Sequence, residues 1–181
     1  PHLSENPINS LIAICRKLKE KPLDQGNKHF QASNLEFTAI NVDNQAHNVI
    51  PARAKTQFNI RYNNYHTSVS LKKKITSVVR SICQKNKTKF KINFLVTGDS
   101  FLTQPGETIQ LARKIIKKIT KINPVFSTTG GTSDARFIRK IAPCLEFGLV
   151  GKTMHKVDEA VSISDLKKLT KIYTEILKSY F

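Results

Sequence analysis

Paired glycines set between hydroxyl residues, Thr128-Thr129-Gly130-Gly131-Thr132-Ser133-Asp134, make a turn rich in free backbone N–H groups, which suits a carboxylate. Two readings of this turn stand side by side. Either Thr132 or Ser133 caps a helix that opens there, with Asp134 near the positive end of its dipole, or the Gly130-Gly131 backbone and the Thr132 hydroxyl cradle an anionic ligand. It is neither a dinucleotide fingerprint nor a Walker loop. Further along, His155 stands beside Asp158 and Glu159. A neutral imidazole is a good zinc ligand and adjacent carboxylates can orient it, whereas the plain alternative is a surface histidine. No H-E-x-x-H, no H-x-H and no Cys/His cluster accompanies it, so a metal bound there would take its other ligands from elsewhere. Arg61 lies on the polar face of an alternating segment, where a guanidinium can hold a carboxylate bidentately or simply be solvated. Asn48-Val49-Ile50-Pro51 reads by itself as a loop entering an edge strand.

These residues need a scaffold, and the composition supplies one. The 181 residues are 39% hydrophobic, enough for a buried core in one domain or two small ones. Apolar runs are broken every few residues by Lys, Arg or Ser, so no segment can span a membrane, and no signal peptide is visible. The chain opens on Pro1 rather than Met, which implies a start at an internal point. Cys15, Cys83 and Cys144 are odd in number and far apart, which argues against a disulfide framework and for a reducing cytoplasm. Thirty Lys and Arg against 13 Asp and Glu leave a net charge of +17. Lysines dominate and sit on helical polar faces, and no zinc finger, RNP-like aromatic run or Arg-rich arm appears, so the expected partner is not nucleic acid. The charge does favour acidic small molecules by steering.

Asn6-Pro7 is a helix start, and Ile8, Leu11, Ile12, Cys15 and Leu18 recur at helical spacing, predicting a helix over 7–19. Strands are predicted at 35–42 and 54–62, the second alternating Ala54, Thr56, Phe58, Ile60 and Tyr62 with Lys55, Gln57, Asn59 and Arg61. A helix over 69–85 carries Leu71, Ile75, Val78, Val79 and Ile82 as its apolar stripe, and a third strand is expected around 90–96. Helix, strand, strand, helix, strand is a ferredoxin-like βαββαβ arrangement lacking its first strand. Thr97-Gly98-Asp99-Ser100 marks the boundary, giving domains 1–98 and 99–181. Beyond it the pattern predicts helices at 107–121, 133–140 and 164–180 and short strands at 125–128 and 144–147, a partial mixed α/β domain with too few strands to close its own sheet.

The motifs also occur in a recognisable order: His47-Asn48-Val49-Ile50-Pro51, Phe58-Asn59-Ile60-Arg61-Tyr62, Phe101-Leu102-Thr103-Gln104-Pro105-Gly106, Gly130-Gly131-Thr132-Ser133-Asp134-Ala135-Arg136-Phe137, Glu146-Phe147-Gly148 and His155-Lys156-Val157-Asp158-Glu159. With the opening Pro1-His2-Leu3-Ser4-Glu5-Asn6-Pro7, they closely resemble the succinyl-diaminopimelate desuccinylases, a branch of the M20 family of dinuclear metallohydrolases, along essentially the whole chain. The resemblance implies that residues 1–98 are an inserted lid that pairs with a second subunit into a homodimer. Residues 99–181 would be the C-terminal part of the catalytic domain.

By the same resemblance His155 is a ligand of one of two zinc (or cobalt) ions, and Arg61, Thr132, Gly130 and Gly131 hold carboxylates of a small acidic N-succinyl amino acid. Asn48 would reach the partner's site, and His2 would not be the family's carbonyl-polarising histidine. The remaining ligands and the general-base glutamate would lie in an N-terminal half not contained in these residues, so the chain alone is expected to be inactive. His47, Gly151 and Ala135 depart from the family pattern, which weakens any substrate role for the first two. Another M20 amidase or dipeptidase, or a non-catalytic dimerisation remnant, are the alternatives.

Overall fold

Side-chain caps mark the starts of three helices in the computed structural model, which describes residues 5–129 and 133–181. The Asn6 side chain accepts a hydrogen bond from the Ile8 N–H at 3.0 Å and Pro7 fills the first turn, so α1 runs Pro7–Lys19 with Arg16, Lys17 and Lys19 at its negative end. Thr67 and Ser70 exchange hydrogen bonds as a capping box (3.0 and 3.1 Å), starting α2, Ser68–Lys85. Between these helices β1 (Asn34–Asn41) pairs antiparallel with β2 (Lys55–Arg61), Asn34 opposite Arg61 and Asn41 opposite Lys55, with a bulge between Phe37 and Ala39. Thr56, Phe58 and Ile60 turn to one face of β2, as the alternation predicts.

That face is covered by the helices. Ile14 of α1 and Leu71, Ile75, Val79 and Cys83 of α2 form a buried cluster, against which Phe58, Ile60, Tyr62, Ile92 and Phe94 pack. Phe37 and Phe58 meet edge to face at 5.8 Å. Residues 90–96 are the first correction to the sequence reading. Ile92 and Phe94 lie half-buried on the cluster while Asn93 and Leu95 point outward, so the alternation is present, yet no ladder forms and the segment is not a strand. A strand requires a neighbour offering free N–H and C=O groups, and β2 is paired only with β1. Its far end is pinned instead by side chains: the Tyr62 hydroxyl donates to Gly98 O (3.1 Å) and to Asp99 Oδ1 (2.5 Å), and that same carboxylate oxygen accepts the Ser68 N–H at 2.9 Å.

The chain divides into two compact units, Pro1–Phe101 and Leu102–Phe181. In the second unit α3 (Glu107–Thr120) ends in a left-handed Lys121, φ 60°, and α5 (Ile163–Tyr180) starts at Ser162, whose side chain accepts the Asp165 N–H at 3.1 Å. Ile109, Ala112, Ile115 and Ile116 of α3, Ile172 of α5, and Ala135 between these helices in the chain are its buried apolar residues. The helix expected at 133–140 shortens to α4, Ala135–Ile138. Tight three-residue bonds, Lys140 N–H to Phe137 O and Ile141 N–H to Ile138 O, take over ahead of Pro143, which disfavours helical backbone at the residue before it. The short strands expected at 125–128 and 144–147 are likewise absent among the described residues, where β1 and β2 make the single sheet. Unpaired short apolar segments have nowhere to place their backbone groups as a ladder. The described fold is thus mixed α/β, with helices and one two-stranded antiparallel sheet.

Candidate functional site

Arg61 ends β2 on the exposed, polar face, directly opposite Asn34. Asn48 occupies the turn of the loop that joins β1 to β2, a loop organised by Asn44, whose Nδ2 donates to Val49 O at 2.7 Å and whose Oδ1 accepts the Ala46 N–H at 3.2 Å. The two candidates therefore sit at opposite ends of the hairpin. At about 3.3 Å per residue, β2 alone separates those ends by roughly 20 Å, too far for one small ligand to touch both in one copy of the chain.

The hairpin end that carries Arg61 is fixed by a polar cluster that the sequence reading did not find. Asp24 Oδ1 accepts the Gly26 N–H (2.7 Å), the Ser33 N–H (3.2 Å) and Asn63 Nδ2 (2.6 Å), and Oδ2 lies 3.1 Å from His66 Nε2. The buried Asn63 gives its N–H to Ser33 Oγ (3.0 Å) and its amide to Gln31 O (3.0 Å). The side chain of Asp24 is only 9% exposed. Burial pushes its carboxyl upward, but hydrogen bonds from Ser33, the Gly26 and Ser33 N–H groups and Asn63 outweigh that and hold it well below the usual carboxylate range. The partners of Asp24 are up to 42 residues away in the chain, so no local spacing announces the cluster.

In the second unit His155 is exposed and left-handed, φ 62°, and Asp158 is left-handed too, φ 60°. Each such residue costs about 1–2 kcal/mol relative to ordinary backbone, so the loop must be held by other contacts. The Thr153 hydroxyl both donates to Ala160 O (2.8 Å) and accepts the Ala160 N–H (2.9 Å), and the His155 N–H donates to Glu159 Oε2 at 3.3 Å. Gly130, Gly131 and Thr132 lie outside the described residues, as does His2. Next to that turn Arg136, quoted within a motif but not singled out, stacks its guanidinium 4.7 Å from the Phe137 ring. Its buried Nε has no hydrogen-bond partner among the described residues.

Among the described residues no three His, Cys, Asp or Glu side chains come together as a metal-holding group. His155 presents one imidazole, and this donor set does not make up a dinuclear centre. No helix among them is long and apolar enough to cross a membrane.

Comparison with known proteins finds relatives along the whole chain. The chain is 62% identical over all 181 residues to a succinyl-diaminopimelate desuccinylase of Pelagibacter ubique (strain HTCC1062), covering 47% of that protein. It is 44% identical over 181 residues to the succinyl-diaminopimelate desuccinylase of Paracoccus denitrificans (strain Pd 1222) and 42% to that of Ehrlichia canis (strain Jake), in each case covering 47% of the relative. The chain spans about half the length of the curated relatives it matches. The family model described as peptidase family M20/M25/M40 matches residues 8–179, nearly the whole chain, and the chain belongs to that family.

Proposed function

We propose that this chain is the C-terminal portion of a hydrolase that splits the amide of N-succinyl-LL-2,6-diaminopimelate into succinate and LL-2,6-diaminopimelate in the cytoplasm. The observation that carries this reading is 62% identity to a desuccinylase over all 181 residues, and so over both units. Residues 1–98 act as the lid and 99–181 as part of the catalytic domain. Water adds across the amide, the acyl carbon becoming the second carboxylate of succinate and the nitrogen leaving as a free amine. Arg61 holds a substrate carboxylate bidentately, and the Gly130-Gly131 backbone with the Thr132 hydroxyl receives another. His155 is this chain's single donor to a centre of two zinc or cobalt ions, whose other ligands and general base lie outside these 181 residues.

The lid completes a ferredoxin-like βαββαβ sandwich when a strand from outside these residues enters beside the extended 90–96 segment. Support for this comes from Ile92 and Phe94, which already pack on the same cluster as Phe58 and Ile60 without any ladder to β2. The lid joins two copies into a homodimer, and the separation of Asn48 from Arg61 along the hairpin supports Asn48 serving the partner's site.

The test compares succinate release by the purified chain with release by the chain joined to the half that its relatives possess. Activity with zinc or cobalt is expected only from the joined protein. Metal-dependent release by the 181-residue chain alone would sink the reading. Preference for a different N-acyl amino acid across a substrate panel would reassign it to another amidase of the family.

A further inference from the structure

The loop that carries His155 is tied shut by contacts that serve no helix and no sheet. We propose that Thr153 and Glu159 are positioning residues that lock the backbone at His155 in its left-handed conformation and so fix the direction in which the imidazole is presented. This rests on the reading of His155 as a site residue.

Three observations converge on it. Thr153 uses one hydroxyl for both jobs, donating to Ala160 O at 2.8 Å and accepting from Ala160 N–H at 2.9 Å, which closes residues 153–160 into a ring at its neck. Inside that ring the His155 N–H, left without a helical or ladder partner by its positive φ, is received by Glu159 Oε2 at 3.3 Å, while Lys156 N–H bonds Thr153 O at 3.0 Å. His155 and Asp158 both take φ near +60°, an uncommon conformation for residues other than glycine, which the surrounding contacts must favour. The loop's side chains are otherwise exposed, Met154 at 56% and Val157 at 93%, so packing cannot supply the restraint. Besides the backbone bonds of Met154 N–H to Gly151 O and Lys156 N–H to Thr153 O, the side-chain restraints are the Thr153 hydroxyl and the Glu159 carboxylate that accepts the His155 N–H. A serine at position 153 keeps the clasp, whereas valine, of equal shape, removes both bonds.

The test uses the whole 181-residue chain and needs no metal. Amide hydrogen exchange and the φ-dependent coupling between the N–H and Hα protons of His155 are measured by NMR in T153V, T153S, E159A and E159Q. The Ala160 amide is expected to exchange at least about tenfold faster in T153V and at the parent rate in T153S, since losing a net bond of about 1.4 kcal/mol corresponds to a factor of ten. E159A should speed exchange of the His155 amide and shift its coupling away from the left-handed value. E159Q, which keeps an acceptor oxygen, should restore both, and α5 amides should not change in any variant. Parent values at His155 and Ala160 in T153V and E159A would overturn the proposal, as would failure of T153S and E159Q to rescue. Full activity of H155A in the joined enzyme would instead overturn the site reading and leave the clasp standing.

Discussion

Arg61 is the residue whose chemistry is most exposed to a direct test. A bidentate guanidinium–carboxylate pair is worth about 1.5–3 kcal/mol more than no contact, so R61A in the joined enzyme should lower kcat/KM by roughly 10- to 100-fold. The loss should fall mainly on KM, and R61K should recover only part of it, because an ammonium cannot reproduce the planar fork. Steady-state kinetics on the three proteins check this. Asp24, in contrast, contributes to stability. Its folded carboxyl titrates below the ordinary value near 3.9, so its contribution is fully present above about pH 4 and fades as the pH falls toward the depressed folded value. D24N should destabilise the first unit by about 1–3 kcal/mol at neutral pH and flatten its acid-induced loss of stability. Denaturant melts at a series of pH values read both effects, and an unchanged acid limb in D24N would contradict the assignment.

At the scale of elements, helices and ladders obey different rules here. The starts of α1, α2 and α5 follow from side-chain caps and the extent of α3 from apolar spacing within its segment, and the sequence located these helices to within a residue or so. Residues 90–96, 125–128 and 144–147 carry strand-like patterns but no ladder, because a strand is a relation between two segments. Each unit has its own load on its packing. Ile75 and Ile172 are both 2% exposed, so I75A and I172A should each cost about 2–5 kcal/mol. The cost should appear in the helical exchange protection of the first unit for I75A and of the second for I172A. Tyr62 pins the unpaired segment through Gly98 and Asp99. Burial first, and then the bond to Asp99, push its hydroxyl up to about 12. Because the folded pKa is raised, stability from the neutral phenol is complete below about pH 10 and is lost as the pH rises toward 12. Y62F should remove that alkaline dependence and speed exchange at residues 97–99.

For the whole molecule, charge and surface set the expected behaviour. Net charge of +17 opposes self-association at low ionic strength. A dimer through residues 1–98, as proposed above, should therefore tighten as salt is raised, which sedimentation at several salt concentrations measures; a monomer at all of them would count against it. The same charge would speed capture of an acidic substrate and make that rate fall with salt. Large apolar residues of the second unit are open to solvent, among them Val125 at 84%, Ile141 at 88% and Val157 at 93%. Under the proposed reading, joining the half that the relatives possess is expected to protect Val125 and Ile141, lowering binding of a hydrophobic dye relative to the chain alone.

What the sequence determined by itself was whatever depends on near neighbours: the start of α1 at Asn6-Pro7, the extents of α2, α3 and α5 to within a residue, the two faces of β2, and the ordered motifs containing Arg61 and His155 that mark the family. The tertiary structure alone decided which strand-like segments pair, because pairing needs a partner distant in the chain. It also assembled Asp24, Ser33, Asn63 and His66, whose contacts span up to 42 residues and leave no local period to detect. And it gave His155 its left-handed backbone, a conformation unfavourable to the residue itself and held by Thr153 and Glu159, so that no propensity of histidine could have announced it.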